Sequence, residues 1–162
     1  MKFAVERKMD ILMFEVAGSR YGLPIEHVSE VALAVPITPF PRNPPFVEGV
    51  INVRGQIVPV LDWRARFALA PKAFEPTDHL VIASGAQRPV AIRVDRILEL
   101  KQLEATELEP AVGIGVEPEL LTAIGRLPDG LVLIHDVRAF LDRTGEEALK
   151  RALRRPPKDA TR

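Results

Sequence analysis

The three histidines are the first side chains to consider for chemistry, because imidazole is both a metal ligand and a base near neutral pH. His27, His79 and His135 lie far apart, and none has a second histidine or a carboxylate at metal-ligand spacing. His135 precedes Asp136 at the end of an apolar run. A hydrogen-bonded histidine at a strand end is favoured there over a zinc or phosphotransfer role. We therefore expect no metal and no cofactor.

Motifs for nucleophilic catalysis and phosphate binding are also missing. The chain has no cysteine, so it has neither a thiolate metal site nor a thiol nucleophile. It contains no Gly-x-Ser-x-Gly elbow and no Lys-Ser/Thr phosphate loop. "GIGVEP" at 113–118 begins like a dinucleotide-binding loop, but Pro118 replaces the third glycine. We expect that the protein is not an enzyme.

The charge balance and the short apolar runs argue against further classes of protein. The 162 residues include 22 basic and 22 acidic side chains, so there is no basic excess to attract nucleic acid. No uncharged apolar run approaches the ~20 residues of a membrane-spanning helix. Charged residues also interrupt the N-terminus before a run of signal-peptide length. We expect a cytoplasmic protein that binds no nucleic acid and does not insert directly into the membrane.

Apolar runs bounded by turn residues predict mainly β structure. The run that starts at Val50 is interrupted by Arg54 and Gly55, and glycine readily takes the positive φ that a tight hairpin needs. Strands are predicted over Val50–Val53 and Gln56–Leu61, with Arg54 at the tip between them. The proline-rich segment 36–45 is predicted to be a surface loop.

An internal repeat predicts two related units. Residues 21–31 match residues 90–100, and "GQIVPVLDWRARF" matches "GLVLIHDVRAF" later in the chain. In the second match, Asp62 and Arg64 correspond to Asp136 and Arg138. Units of roughly five short strands can each close into a small barrel. Their remaining apolar residues should then meet at a shared hydrophobic seam.

The corresponding acids Asp62 and Asp136 are expected to accept backbone N–H bonds where each strand ends. The alternative is a small-molecule-binding barrel or a hydrolase that uses the seam as a pocket. Asp62, Asp136 and His135 would then converge inside that pocket as its polar groups.

Arg54 is not explained by the repeat, because Pro128 occupies its place in the second unit. An arginine fixed at a hairpin tip can form two parallel hydrogen bonds with a carboxylate. Its predicted partner is Glu30. This residue is expected at the end of a short helical turn, because Ile25 and Val28 recur at helical spacing.

The segment "FVEGVINVRGQIVPVLDWRARF" at 46–67 resembles the signature of the CheW family of chemotaxis coupling proteins. The resemblance extends from about residue 11 to residue 141. It implies a mainly β fold of two SH3-like five-stranded barrels, interleaved or sequential along the chain, related by pseudo-symmetry around a hydrophobic seam. The matching signature residues are Gly49, Asn52, Arg54, Gly55, Pro59, Asp62, Arg64 and Phe67.

The resemblance also implies a function and its residues. Family members are non-enzymatic adaptors that couple the cytoplasmic tip of a transmembrane chemoreceptor, a methyl-accepting protein, to the regulatory domain of a CheA-type histidine kinase. They are recruited to membrane-associated receptor arrays. Arg54 matches the signature arginine and Glu30 its acidic partner, while kinase contact is expected mainly through the first barrel. Positions matching the receptor groove are Val28, Gly49, Ala91, Ile97 and Leu100.

Departures from the family pattern refine this expectation. Trp63 replaces the usual leucine, and its bulk must be accommodated by the core or by a partner. Glu109 and Ile114 stand where relatives that build large arrays often have a basic and an aromatic contact. These departures fit a coupling protein of an accessory chemosensory system. We expect one domain over residues 1–144, followed by a charged helical or disordered tail over 145–162, an appendage with little to bury.

Overall fold

The computed structural model describes residues 8–111 and 120–154, where strands dominate. Their bounds are β1 (Met9–Val16), β2 (Ser19–Pro24), β3 (Val28–Leu33), β4 (Val47–Val53), β5 (Gln56–Leu61), β6 (His79–Ser84), β7 (Pro89–Val94), β8 (Arg96–Leu103), β9 (Leu108–Pro110), β10 (Leu121–Leu127) and β11 (Gly130–His135). The helices are α1 (Trp63–Arg66) and α2 (Arg143–Leu153), and single 3-10 turns form at Ile25–His27, Ala105–Glu107 and Val137–Ala139.

The strands form two sheets that exchange segments of the chain. One has the order β8-β1-β2-β11-β10-β9 and is called the terminal barrel here. The other has the order β3-β6-β7-β5-β4 and is called the central barrel. A bridge between Thr38, which follows β3, and Val50 of β4 brings the two ends of the central sheet together. The predicted pair of barrels is confirmed in interleaved form, and the terminal barrel has the short β9 as a sixth strand.

The pseudo-symmetry predicted from the repeat is visible in strand register. In the terminal barrel, β11 runs parallel to β2 and pairs Ile134 with Gly22. In the central barrel, β5 runs parallel to β7 and pairs Val60 with Ala91. The repeat equates Gly22 with Ala91 and Val60 with Ile134, so the same register occurs in both barrels.

The core has three parts. Ile11, Leu103 and Ile134 belong to a cluster within the terminal barrel, and Val58 and Leu80 belong to one within the central barrel. The largest cluster joins strands of both barrels and is called the seam cluster. It includes Leu12, Phe14, Tyr21, Leu23, Val50, Leu61, Trp63, Val81, Ile92, Phe140 and Leu149. Burial of these side chains is the main force holding the barrels together.

Two details differ from the sequence-based expectation. Only Ile25–His27 is helical, and Val28 already begins β3, where a β-branched residue is favoured. The C-terminal helix starts at Arg143, with Asp142 capping its first turn, and Leu149 is 1% exposed in the seam cluster. Helix α2 is therefore part of the packed body, so the expectation of an appendage is wrong for the described residues.

Candidate functional site

The hairpin between β4 and β5 holds Arg54 in the predicted position. Val53 pairs with Gln56, which leaves Arg54 and Gly55 as the two turn residues, with φ of 51° and 85°. Two successive positive φ angles give the tight turn whose twist matches that of the flanking strands. The Asn52 Oδ1 atom accepts the Gly55 N–H at 2.7 Å. The turn therefore fixes the direction in which the Arg54 side chain leaves the barrel.

Arg54 and Glu30 form the predicted two-pronged ion pair. Nη1 of Arg54 donates to Oε2 of Glu30 at 2.5 Å, and Nη2 donates to Oε1 at 3.0 Å. The hydrogen bonds from Arg54 hold the pKa of Glu30 below its usual range. Glu30 lies within β3 rather than at the end of a helical turn. The predicted partner is confirmed and its predicted position is corrected.

This ion pair connects the two outermost strands of the central sheet. Glu30 is on β3 and Arg54 directly follows β4, and these strands stand at opposite ends of the strand order. The Arg54 side chain remains 76% exposed, whereas that of Glu30 is 31% exposed. The paired guanidinium therefore stays accessible to another molecule.

Exposed apolar side chains continue along β3. Val31 is 40% and Leu33 is 66% exposed. Leu100 of β8, one of the predicted site residues, is 67% exposed. Sequence reasoning missed Val31 and Leu33, although the internal repeat aligns Val31 with Leu100. The repeat was therefore the signal that could have identified Val31.

Val28 and Ile97 border the seam. Each is partly buried against the seam cluster, and each lies just after the chain has crossed between barrels. Leu100 and Ile25 line the same open depression of about 340 Å³. The structure thus brings Leu100 close to the crossover that leads into Val28.

Gly49 and Ala91 do not reach the surface. Gly49 has a φ of 154°, and a Cβ at this position would collide with the carbonyl of Thr38. Ala91 is 0% exposed and belongs to the core of the central barrel. The prediction that these two residues line a groove is therefore corrected, because both are buried and have structural roles in this conformation. Gly49 permits close approach of the chain, and Ala91 fills the barrel.

The corresponding aspartates have the predicted capping role. Asp62 Oδ1 accepts the Ala65 N–H at 3.1 Å at the start of α1. Asp136 Oδ1 accepts the Arg138 N–H at 3.0 Å at the start of the 3-10 turn. Each carboxylate satisfies a backbone donor that the first turn of the following helix leaves unpaired.

His135 is a buried structural residue. It is 3% exposed, and its Nδ1 lies 3.2 Å from the carbonyl oxygen of Leu133, to which an Nδ1–H would donate. Burial lowers its pKa to about 4. Its ring packs against Trp63 and Phe67. The hydrogen-bonded strand-end histidine is confirmed.

The pocket alternative is wrong because its three polar groups do not converge. Asp62 borders an open depression of about 410 Å³ together with Arg64, Lys72 and Arg93. Of the described residues, neither Asp136 nor His135 lines that depression. Apolar side chains fill the seam itself.

Trp63 is accommodated by the core. It is 1% exposed, and its ring centroid lies 5.3 Å from that of Phe14, 4.9 Å from that of Phe67 and 5.8 Å from that of Phe140. Aromatic rings at these separations attract one another beyond their buried area. The departure from the family pattern at this position is therefore absorbed inside the seam.

Of the two remaining departures, only one can be placed. Glu109 on β9 pairs with Arg126 on β10 in the terminal barrel. Ile114 lies outside the described residues.

Comparison with known proteins decides the family. The chain matches the CheW-like domain family over residues 10–145. This chain belongs to the CheW family. Members of the CheW family are chemotaxis coupling proteins that act between chemoreceptors and the kinase CheA. In the described residues, no helix has the length and apolarity needed to cross a membrane.

Individual relatives agree with this assignment. Chemotaxis protein CheW of Klebsiella aerogenes is 29% identical over 134 residues, covering 82% of this chain and 81% of that protein. Chemotaxis protein CheW of Rhizobium meliloti is 31% identical over 120 residues, covering 73% and 76%. The crystal structure of the scaffolding protein TtCheW from Thermoanaerobacter tengcongensis superposes with a TM-score of 0.76 at 27% identity. That match covers 86% of this chain and 96% of TtCheW.

Proposed function

We propose that this protein is a non-enzymatic adaptor that binds the regulatory domain of a CheA-type histidine kinase and the cytoplasmic tip of a methyl-accepting chemoreceptor. It is recruited through these contacts to membrane-associated receptor arrays and serves an accessory chemosensory system. Family membership supports the coupling role. The departure at Glu109 supports the accessory assignment, whereas Trp63 is buried in the core.

The observation that carries this proposal is the exposed ion pair of Arg54 and Glu30. Its pairing orients the guanidinium, so a partner binds an arginine that has already lost part of its side-chain freedom. The exposed nitrogens can donate to a carboxylate or to a backbone carbonyl of the partner. Such a contact contributes to binding while contributing little to the fold.

Apolar side chains beside the pair supply contact area. Val31 and Leu33 project from β3, and Leu100 projects from β8, all without cover in the described structure. An amphipathic helix can place residues at i, i+3, i+4 and i+7 against a surface of this kind. The receptor tip is the partner that we assign to these residues, together with Val28 and Ile97.

A binding titration tests the proposal. The full chain is titrated with the regulatory domain of each CheA-type kinase of the same cell, and separately with receptor tips. We expect micromolar dissociation constants, and for Arg54→Ala an affinity about tenfold lower for at least one partner. Asp129→Asn is the matched control, because Asp129 forms an exposed hairpin-tip ion pair with Arg20 in the terminal barrel. Absence of binding to every kinase and receptor would overturn the proposal.

A further inference from the structure

The chain crosses between the barrels at two pseudo-equivalent places. One crossover follows β2 and contains Glu26, and the other follows β7 and contains Asp95. The internal repeat aligns these two acids with each other. Their contacts nevertheless differ, and the difference bears on how the barrels are oriented.

Asp95 bonds to both barrels at once. Its carboxylate oxygens lie 2.6 and 2.9 Å from Nη2 of Arg64, which stands on α1 directly after β5 of the central barrel. Its Oδ2 also accepts the N–H of Ala17, in the β1–β2 turn of the terminal barrel, at 2.9 Å. Its own N–H donates to the carbonyl oxygen of Glu15 at 3.0 Å.

The Arg64 side of this contact is equally fixed. Nη1 of Arg64 donates to the carbonyl oxygen of Ala70 at 2.7 Å, so the guanidinium is held at both ends. The side chains of Arg64 and Asp95 are only 12% and 23% exposed. Limited access of water strengthens such a pair relative to a surface pair.

The crossover at Glu26 has no such clamp. Arg138 is the counterpart of Arg64 in the repeat, but its Nε and Nη2 donate to Asp136, two residues earlier, at 2.9 and 2.8 Å. Within residues 8–111 and 120–154 no hydrogen bond or ion pair forms from the Glu26 side chain, which is exposed. Glu26 attracts Arg138 only through the longer-range field.

Apolar burial and directed hydrogen bonds play different roles between two packed barrels. Burial in the seam cluster favours contact but is non-directional. Charge-assisted hydrogen bonds depend on distance and angle, so they select one arrangement among those that bury similar area. Of the two crossovers, only the one at Asp95 has such bonds among the described residues. A separate bond from Nε of Arg66 on α1 to the carbonyl oxygen of Phe140, at 3.2 Å, also joins the barrels. The bonds of Asp95 therefore constrain the barrel angle at one crossover and not at the other.

We propose that Asp95 is a positioning residue that fixes the angle between the two barrels, and that the Glu26 crossover is the side at which this angle can change. Val28 and Glu30 follow the Glu26 crossover directly. A partner bound at these residues would alter the barrel angle with the Asp95 crossover as pivot. Only this last consequence rests on the proposed function.

Pulsed electron–electron double resonance on the free protein tests the proposal. Because the chain has no cysteine, Gln87→Cys on the β6–β7 turn and Leu131→Cys on β11 give one specific spin label in each barrel. In this labelled chain, Asp95→Asn should increase the population of distances outside the wild-type peak by roughly tenfold. The matched control Glu26→Gln should leave the distribution unchanged. Asp95→Glu, which keeps the negative charge, should restore part of the narrow peak.

A narrow, unchanged distribution in Asp95→Asn would overturn the proposal, as would equal broadening in Glu26→Gln. If Asp95→Asn prevents folding, Arg64→Lys provides the same measurement, because a lysine has one nitrogen in place of the two with which Arg64 bonds to Ala70 and Asp95. The measurement uses no partner, so a negative result leaves the adaptor function standing. Failure of the binding titration would remove only the partner-driven change of the barrel angle and would leave the positioning role of Asp95 standing.

Discussion

The two corners at which a strand passes into a short helix have the same plan and different contacts. In each, an aspartate caps the turn, and the next residue, Trp63 in one corner and Val137 in the other, is buried. In the first corner the next residue, Arg64, binds the crossover acid Asp95, whereas in the second the next residue, Arg138, binds its own capping aspartate. The local capping contacts are therefore common to both corners, whereas a bond from the arginine to a crossover acid forms at only one of them.

The largest difference between the corners should be in core packing. Trp63→Ala removes a ring surrounded by aromatic neighbours, and we expect it to lower the free energy of unfolding by about 4 kcal/mol. Val137→Ala removes far less volume and should cost about 2 kcal/mol. Urea unfolding followed by far-ultraviolet circular dichroism measures both. Equal losses would show that the seam does not depend on the tryptophan.

The last strand residue before each capping aspartate differs between the two corners, and this difference should make the stability of the protein depend on pH. His135 corresponds to Leu61, and burial lowers the pKa of His135 from 6.5 to about 4. The unfolded chain then binds more protons than the folded one between these values. Stability is full above pH 6.5 and falls as the pH drops to about 4, by roughly 3 kcal/mol in total.

His135→Leu makes this position match its counterpart and should remove that part of the pH dependence. Fluorescence of the single tryptophan, Trp63, reports unfolding at each pH in both proteins. Because the carboxylates titrate alike in both, the difference between the two curves isolates the histidine. Parallel curves from pH 7 to pH 4 would contradict the assignment of a buried neutral imidazole.

Substitution of the arginine in each corner, Arg64 or Arg138, should give a smaller difference in stability. Arg64→Ala removes the guanidinium from Asp95 in a region of limited solvent access and leaves it the Ala17 N–H and Lys72 at 3.9 Å, so we expect a loss of about 2 kcal/mol. Arg138→Ala breaks an ion pair in which the arginine is 53% exposed, and we expect ~0.5 kcal/mol or less. Thermal unfolding at low and high salt compares them. An equal and small loss in both would mean that Asp95 does not depend on Arg64.

Local features were the ones that the sequence predicted well. The Arg54 turn depends on Gly55 beside it, and the capping roles of Asp62 and Asp136 depend on backbone donors within three residues. The pseudo-symmetry followed from the internal repeat, since duplicated segments adopt the same register. These predictions needed no knowledge of which distant residues meet.

Long-range contacts were the ones that the sequence did not reveal. The Arg64–Asp95 bond joins residues that follow β5 and β7, two strands that become neighbours only in the folded central barrel. The packing of α2 was hidden because Leu149 and Leu153 are isolated apolar residues in a charged segment. Gly49 and Ala91 matched groove positions by resemblance, but burial depends on the complete barrel rather than on a motif.

The last comparison is between the hairpin tips at Arg54 and at Asp129. Substitutions at these tips should differ little in their effect on stability and strongly in their effect on partner binding. Arg54→Ala and Asp129→Asn each break an exposed ion pair, so neither should shift the midpoint of thermal unfolding appreciably. Only Arg54→Ala should weaken partner binding. A large loss of thermal stability in Arg54→Ala would instead make the residue mainly structural.

Reconstituted kinase activity tests the central claim most directly. The rate of phosphoryl transfer by the kinase is measured in membranes that contain the receptor, with and without this protein. The account predicts that the receptor changes the kinase rate only when this protein is present, and that Arg54→Ala reduces this dependence. Equal receptor control of the kinase with and without this protein would contradict the account.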